Sequence, residues 1–208
     1  PVGGYIHGSL CHSQSIEGYF THLPGIRIAY PSNAADAKGL LKSACRMDDP
    51  ILFLEHKGLY RQGYASSNEP SEKYLLEFGK ANIIQQGDDI TIVTWGALVQ
   101  KSIEASKNTS FSVEIIDMRT LNPLDFECII KSIKKTSRLI VAHEDNLTGG
   151  FGAEIVSRIS DFAFEYLDAP VKRVASKDSP IAYAQNLEDE ILVQVNWIID
   201  CINEVGNY

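Results

Sequence analysis

His12 is the first residue whose type and setting could support chemistry. It lies in residues 3–15, GGYIHGSLCHSQS, a glycine-rich stretch that precedes a predicted short helix. A histidine at such a place can face a cleft, and an ordinary pKa of ~6.5 lets it move protons at neutral pH. A histidine packed at the helix entry and bonded to backbone has the same spacing, and spacing alone favours that role. Cys11 beside it does not indicate a thiolate–imidazole pair, because adjacent residues of an extended segment point apart.

Residues 143–154, HEDNLTGGFGAE, form a second candidate. The segment follows a predicted strand and begins a predicted helix, which is where phosphate loops lie. It lacks the lysine of such loops and does not match G-x-G-x-x-G, and its acidic side chains would repel an anion. The glycines therefore indicate a tight turn with close packing. Consecutive His143, Glu144 and Asp145 would bind a metal only with a distant further ligand.

Two more candidate binding segments lie at the ends of predicted elements, one at the end of a helix and one after a strand. The last carbonyl groups of the helix that ends before Asp49 and Pro50 lack intrahelical partners, and such groups face water, a cap or a cation. Residues 55–61, EHKGLYR, follow a buried strand. Ligands bind at the carboxyl ends of strands in open α/β sheets, although a solvated exit loop would have the same composition.

The elements that must position these residues alternate between strand and helix. In the first part, strands are predicted at 26–30 and 51–55. Between them, Ala37, Leu40, Leu41, Ala44 and Cys45 form one apolar helical stripe, with Asn33 as the helix cap. Residues 56–78 have no period, which indicates an interdomain linker.

The alternation resumes after the linker. Strands are predicted at 81–85, 90–95, 113–117, 138–143 and 171–174, and helices at 97–106, 125–135, 151–166 and 187–204. Strands that alternate with helices imply parallel sheets. The fold class is therefore predicted as α/β, with mostly parallel sheets in two units. Only two strands are predicted before the linker, which is few for a sheet buried on both faces.

Composition narrows the class of protein further. The chain has 208 residues, of which 44% are hydrophobic and 22% charged, as in an ordinary globular protein. A net charge of −8 argues against nucleic acid or an anionic membrane as partner. Its 4 cysteines include no C-x-x-C pair, which favours reduced thiols, and no apolar run could span a bilayer. Pro1 is not a natural start, so we expect a longer protein.

Ten short segments together resemble a known family. They are HSQS (12–15), PGIRI (24–28), PS (31–32), DAKGLL (36–41), DP (49–50), FLE (53–55), LYR (59–61), DITIVTWG (89–96), DMRTLNPLD (117–125) and GGFGAE (149–154). In this order they resemble the beta subunit of the 2-oxo acid dehydrogenase decarboxylases, of the pyruvate or branched-chain type. The last three resemble its transketolase-like C-terminal domain.

The resemblance implies a thiamine diphosphate enzyme that decarboxylates a 2-oxo acid and passes the acyl group to lipoyl on a separate acyltransferase. An alpha subunit would hold the diphosphate and its magnesium. The family's activating glutamate lies well ahead of the His-Ser-Gln motif, so we expect it upstream of this chain. Glu17 follows the motif and cannot replace it. These residues are therefore not expected to hold the cofactor alone.

Site residues carried over from the resemblance fall into two groups. His12 matches the family's active-site histidine, which implies proton transfer near the cofactor while a lipoyl sulfur becomes a thiol. The helix end matches a potassium site that some members have, built from main-chain oxygens. Here these oxygens would belong to Ala44, Cys45, Met47 and Asp49. A hard cation favours oxygen donors, and its role would be to order the loop.

The resemblance also divides the chain and names partners. We expect a partial pyrimidine-binding domain at 1–65, a linker at 66–78 and a transketolase C-terminal-like domain at 79–208. The last domain would pair two beta subunits and dock the acyltransferase's small basic domain, with Glu144 and Asp145 as candidates for that surface. We expect the cytoplasm of a bacterium, or the mitochondrial or plastid matrix of a eukaryote.

Three alternatives remain. Transketolase itself or deoxyxylulose phosphate synthase would need convergent basic side chains for sugar phosphates, and the His-Ser-Gln-Ser and Leu-Tyr-Arg segments favour the dehydrogenase subunit. A chain of this extent could also be an inert dimerisation and docking module. The sequence leaves open whether the acid is pyruvate or a branched-chain 2-oxo acid, and whether the alpha portion is fused.

Overall fold

Eight strands and eight α-helices alternate along residues 1–208, all of which this computed structural model describes. The strands are β1 (Arg27–Ala29), β2 (Ile51–Phe53), β3 (Asn82–Gln85), β4 (Ile90–Thr94), β5 (Val113–Asp117), β6 (Thr120–Asn122), β7 (Leu139–Asn146) and β8 (Lys172–Ser176). The helices are α1 (Ser9–His12), α2 (Glu17–Thr21), α3 (Ala34–Ala44), α4 (Leu98–Ser106), α5 (Phe126–Thr136), α6 (Gly152–Phe162), α7 (Gln185–Ile191) and α8 (Val195–Gly206). The predicted α/β class is confirmed.

The larger sheet has five strands in the order β3-β5-β4-β7-β8, and only β3 runs antiparallel to its neighbour. Every residue of β4 and β5 is buried, as in a sheet covered on both faces. Side chains alternate between the two faces. One set packs with α5 and α6, and the other with α4 and α8. Two apolar cores therefore lie on opposite sides of this sheet.

The smaller sheet has three strands in the order β2-β1-β6, and its third strand was not predicted. β1 pairs parallel with β2 and antiparallel with β6, which comes from the second half of the chain. β6 is only three residues long and is followed by Pro123, so it carries no periodic signal of its own. Its pairing joins the two halves through main-chain hydrogen bonds.

Helix α3 begins as predicted, because the Asn33 side chain accepts a hydrogen bond from the Asp36 amide at 2.9 Å. The predicted apolar stripe is only partly buried. Leu40 is fully buried, whereas Leu41 is 48% exposed and Cys45 is exposed. The helix buries Asp36, Gly39 and Leu40. Arg119 bonds Asp36, and side chains of Tyr74 and Leu76 approach Gly39.

Residues 66–81 contain no helix or strand, yet they are not detached from the fold. Lys38 of α3 donates hydrogen bonds to the Glu69 carboxylate at 2.9 Å and to the Pro70 carbonyl at 2.8 Å. The Leu76 amide bonds to the Gly39 carbonyl at 3.3 Å. A Cβ added at Gly39 would lie 2.8 Å from side chains of Tyr74 and Leu76, so glycine permits this close approach.

The helix predicted over residues 187–204 is wrong as a single element, because α7 and α8 are separated by an extended segment. Leu192 and Val193 lie in that segment and are fully buried. Extended backbone turns these neighbouring side chains to opposite sides, so that Leu192 packs against Gly4 and Val193 enters the core with residues of α4 and α8. No helix of the protein is long and apolar enough to cross a membrane, and all four cysteines are free thiols.

Candidate active-site loop and its supports

Residues 3–15, here called the His12 loop, leave the fold at the carboxyl edge of the smaller sheet. Just before the loop, Val2 pairs with His56, which follows β2. The Val2 amide donates to the Glu55 carbonyl at 2.8 Å, and the Lys57 amide donates to the Val2 carbonyl at 2.9 Å. The sequence pattern indicates both this loop and residues 55–61 as candidate functional segments, and in the structure they lie next to each other. Ligands of open α/β sheets bind at this edge.

His12 is the last residue of α1 and is exposed to solvent. Its imidazole makes no hydrogen bond or ion pair with any other residue of the chain. The structure therefore does not place it in the packed, backbone-bonded role that spacing alone favoured. An imidazole in this position is available to a group that approaches from outside the chain.

The His12 loop has an unusual backbone. Tyr5, His7 and Ser9 have positive φ angles of 61°, 56° and 54°, in the left-handed region that side chains other than glycine rarely adopt. Such residues cost roughly 1–3 kcal/mol each and persist only where surrounding contacts enforce them. The loop must therefore be held in place by other parts of the fold.

Glu144 of β7 provides one of these contacts. Its Oε1 accepts hydrogen bonds from the Gly4 amide at 2.6 Å and from the Ser15 hydroxyl at 2.9 Å, while its Oε2 lies 2.6 Å from His56 Nε2. Burial alone would raise the pKa of Glu144, but the nearby His56 charge and the three hydrogen bonds outweigh burial and lower it. Glu144 is thus an ionised acceptor inside the protein.

Glu188 of α7 provides the second contact and is fully buried. It accepts from the His7 amide at 3.2 Å, and its Oε2 lies 2.8 Å from His7 Nδ1. Two further bonds run from the loop to the second half of the chain. The Tyr5 hydroxyl donates to the Val193 carbonyl at 2.8 Å, and the Ser9 hydroxyl to the Ile181 carbonyl at 3.3 Å.

The expectation that Glu144 and Asp145 belong to a docking surface is wrong. They are only 5% and 8% exposed, respectively. Asp145 accepts a hydrogen bond from the Gly18 amide at 3.0 Å, and burial raises its pKa. Both carboxylates support the first part of the chain from within. Neither His56 nor Glu188 was singled out as a support, because nothing in their local spacing signals contacts across 88 and 181 residues.

Glu17 is a third buried acid near the loop. The Trp95 indole donates to its Oε1 at 2.9 Å, and its Oε2 has no hydrogen-bond partner. Burial, followed by the negative charge of Asp145, raises the pKa of Glu17 to about 8. Glu17 is therefore a neutral acid at pH 7 that faces the interior.

The glycines of residues 149–152 serve packing. His143 stacks on Trp95 with ring centroids 5.7 Å apart, and burial lowers the pKa of His143 to about 4. A Cβ added at Gly150 or Gly152 would lie 2.5 Å or 2.4 Å from the His143 ring. The predicted tight turn with close packing is confirmed. No group of three or more His, Cys, Asp or Glu side chains could hold a metal ion.

Two adjoining open cavities lie beside the loop. The larger has a volume of about 780 Å³ and lies between α2, β6 and the start of α6. The smaller, about 620 Å³, is lined by Leu10, Gln14 and Ser15 of the loop. Both include Tyr19 and Asp145 in their walls. There is thus open space, with both polar and apolar walls, directly against the His12 loop.

The four carbonyls predicted for potassium lie at the end of α3 and in the turn to β2. The Ala44 oxygen accepts a hydrogen bond from the Met47 amide at 3.1 Å. The carbonyls of Cys45, Met47 and Asp49 accept no hydrogen bond from the protein. Three of the four oxygens are therefore available to a cation, although Arg27 lies 3.2 Å from the Asp49 carboxylate.

The chain's acids do not by themselves fit a thiamine cofactor. Glu17, Glu144 and Glu188 surround the His12 loop, and each is buried and bonded to groups of the protein. None of these carboxylates faces open space where a cofactor ring could reach it.

Comparison with known proteins gives two family matches. Residues 1–62 match the transketolase pyrimidine binding domain, and residues 79–198 match the transketolase C-terminal domain. Among solved structures, a split-gene transketolase described as an inactive beta4 tetramer superposes with a TM-score of 0.77 at 22% identity. That match covers 95% of this chain and 63% of the other, and it supports the fold.

Curated relatives match over nearly the whole chain. The 2-oxoisovalerate dehydrogenase subunit beta of Bacillus subtilis is 39% identical over 100% of the chain and 64% of its own length. The mitochondrial 2-oxoisovalerate dehydrogenase subunit beta 2 of Arabidopsis thaliana is 40% identical, over 100% and 58%. The pyruvate dehydrogenase E1 component subunit beta of Staphylococcus aureus is also 40% identical, over 90% and 58%. Because both domain types match in order and together cover most of the chain, the chain belongs to the transketolase family.

Proposed function

We propose that the protein containing this chain decarboxylates a 2-oxo acid and transfers the acyl group to lipoyl on an acyltransferase. The observation that carries the proposal is the relationship, at about 40% identity over the chain, to beta subunits of 2-oxoisovalerate and pyruvate dehydrogenases. The exposure of His12 supports it, since acyl transfer needs a proton donor that an external substrate can reach.

In this proposal His12 acts on the lipoyl group. As the acyl carbon is oxidised, the lipoyl disulfide is reduced. One sulfur forms the bond to the acyl carbon, and the other leaves as a thiolate, to which the His12 imidazolium gives a proton. The cofactor of this family, thiamine diphosphate, is held mainly by residues outside this chain, together with magnesium.

The proposed partners follow from the same relationship. An alpha subunit or alpha-like domain completes the active site, a second beta subunit pairs with this one, and a lipoyl acyltransferase receives the acyl group. We propose a reducing compartment, the bacterial cytoplasm or an organelle matrix, in which the four free thiols persist. The domain division 1–65, 66–78 and 79–208 is part of the same proposal.

The test is a substrate panel on the full-length protein assembled with its alpha partner. Release of carbon dioxide is measured with pyruvate, 2-oxoisovalerate and two ketose phosphates, with and without thiamine diphosphate. We expect turnover of a 2-oxo acid that needs the cofactor, and none from residues 1–208 alone. Ketol transfer from a sugar phosphate in place of decarboxylation would support a transketolase and contradict the proposal, and robust turnover by residues 1–208 would contradict the shared site.

A further inference from the structure

We propose that Glu144 is a positioning residue that fixes His12 by closing the stem of its loop. The proposal rests on the function proposed above and adds a residue from the second half of the chain. Glu144 does not touch substrate. It acts through Gly4 and Ser15, one at each end of the loop.

The stem geometry is the first argument. The two ends of the loop are joined directly by a single backbone hydrogen bond, from the Gly3 amide to the Gln14 carbonyl at 3.0 Å. Immediately beside it, one oxygen of Glu144 accepts from both ends, from the Gly4 amide and the Ser15 hydroxyl. A carboxylate that accepts from a backbone amide makes a short, strong hydrogen bond. This oxygen therefore joins the two ends of the loop, and we call it the Glu144 clasp.

His56 orients the clasp and lies between two aromatic rings. Its ring stacks on Tyr5 at 6.1 Å and on Tyr30 at 6.4 Å, and its Nε2 bonds to the other oxygen of Glu144. Gly3 has a φ of 91°, and a Cβ there would lie 2.3 Å from the His56 ring. The start of the loop therefore lies directly on the imidazole that aligns Glu144.

The loop's backbone explains why a clasp is needed. Three of its residues have positive φ without being glycine, so a free loop would relax to other conformations and carry α1 with it. His12 ends α1, its imidazole has no hydrogen-bond partner, and its amide bonds only within the loop, to the Gly8 carbonyl at 3.1 Å, so its position depends on the loop. Glu188 holds the middle of the loop at His7, whereas Glu144 holds both ends.

The experiment compares Glu144→Ala, Glu144→Gln and wild type in the full-length protein assembled with its alpha partner. The glutamine carbonyl can still accept from Gly4 and Ser15, so Glu144→Gln should disturb the loop less than Glu144→Ala does. Glu114→Ala is the matched control. Glu114 is a buried carboxylate of the same sheet that bonds Ser132 and Lys135 and does not contact the loop.

Hydrogen exchange of residues 3–15 is the first readout, and it does not depend on activity. We expect exchange to quicken roughly 10- to 100-fold in Glu144→Ala, as for loss of charged hydrogen bonds, and less in Glu144→Gln. Peptides from β4 should be unchanged relative to wild type in Glu144→Ala, and Glu114→Ala should leave exchange of residues 3–15 unchanged. Unaltered exchange in the loop, or equal quickening throughout the sheet, would overturn the proposal.

The second readout separates positioning from general stability. Acyl transfer to a free lipoyl domain should fall by about 10-fold or more in Glu144→Ala, while decarboxylation with an artificial electron acceptor changes less than about threefold. Adding Glu144→Ala to His12→Ala should slow acyl transfer no further, because both substitutions remove the same contribution, that of a correctly placed His12. Additive losses, or equal loss of both half-reactions, would overturn the positioning role.

A second variant and a separate readout keep failure to fold, failure of the proposed function and failure of the positioning role distinguishable. If Glu144→Ala does not fold, Ser15→Ala removes one of the two stem donors with little change in volume, and the same shifts, in smaller size, are expected. A wild-type complex without 2-oxo acid turnover would contradict the proposed function. The hydrogen-exchange result would still decide whether Glu144 fixes the loop.

Discussion

The pKa values of two buried glutamates near the His12 loop are shifted in opposite directions, and neighbouring charges and hydrogen bonds explain the difference. Glu144 has three donors around its two oxygens, and its pKa is lowered despite burial. Glu17 has one donor, the Trp95 indole, and an oxygen without a partner, so burial raises its pKa to about 8. Burial raises the pKa of both carboxyl groups, and the neighbouring charges together with the hydrogen-bond donors decide the net direction of the shift.

The raised pKa of Glu17 predicts a pH dependence of stability. Between its ordinary value of 4.5 and about 8, Glu17 binds a proton in the folded state but not in the unfolded state. Stability therefore falls as pH rises through this window, by at most about 1.4 kcal/mol per pH unit. Glu17→Gln removes the ionisation and keeps an acceptor for Trp95.

The check is chemical denaturation of wild type and Glu17→Gln at pH 5, 6.5 and 8. We expect the advantage of the glutamine variant to grow steadily with pH. Gln14→Glu, an ionisable change on the less buried loop, serves as a control for added titration. An advantage for Glu17→Gln that stays constant across the three pH values would show that Glu17 ionises normally.

At the scale of elements, the sequence predicts helices and strands correctly where the residues that stabilise them are near one another in the chain. The strands β4, β5 and β7 and the cap of α3 follow from β-branched runs and from an Asn three residues before Asp36. The third strand of the smaller sheet, β6, and the break between α7 and α8 depend on tertiary contacts. They therefore left no periodic signal.

The candidate site shows the same division. His12 was marked by residue type and glycine context, and its catalytic role stays a prediction. Glu144 was expected at a surface because acidic residues usually are exposed, and the actual partner, Gly4, is 140 residues away. Contacts between residues so far apart form where the two domains pack together. The local sequence around Glu144 contains no pattern that indicates them.

The cap of α3 gives a prediction about one element. Asn33→Ala removes the acceptor for the Asp36 amide and should lower the free energy of unfolding by roughly 1 kcal/mol. Asn68→Ala, in an exposed stretch without hydrogen bonds from its side chain, is the control and should change little. Denaturant midpoints measure both, and equal midpoints for the two variants would argue against a working cap.

The turn after α3 gives a second prediction at this scale. If the free carbonyls of Cys45, Met47 and Asp49 bind potassium, replacing potassium by choline at constant ionic strength should lower the melting temperature. Hydrogen exchange should quicken in residues 44–50 alone. A uniform change across the chain would indicate a general salt effect, and no change would remove potassium from the account.

Across the whole molecule, the two halves share an apolar core and are also joined by three kinds of polar contact. β6 adds a strand to the first half, and carboxylates of the second half hold the His12 loop. The third contact is buried: Arg119 bonds both oxygens of Asp36 at 2.7 Å and 2.8 Å. Ser32 donates to Asp117 at 2.5 Å beside it. The halves should therefore unfold together.

The Asp36–Arg119 pair predicts how strongly the halves are coupled. Arg119→Ala leaves Asp36 buried without its partner and should cost roughly 3–5 kcal/mol. Adding Asp36→Asn should recover part of that loss. Lys131→Ala, which breaks an exposed pair with Glu127, should cost less than about 1 kcal/mol. Calorimetry of each variant would contradict this coupling if the Arg119 and Lys131 changes cost the same.

The most direct measurement of the central claim is single-turnover acylation of a free lipoyl domain by the complete enzyme, with wild type compared to His12→Ala. We predict rapid transfer from a 2-oxo acid in wild type, transfer slowed by about 100-fold or more in the variant, and decarboxylation with an artificial acceptor nearly unchanged. Equal transfer rates in the two proteins would contradict the assignment of His12, and no transfer in the wild type would contradict the function itself.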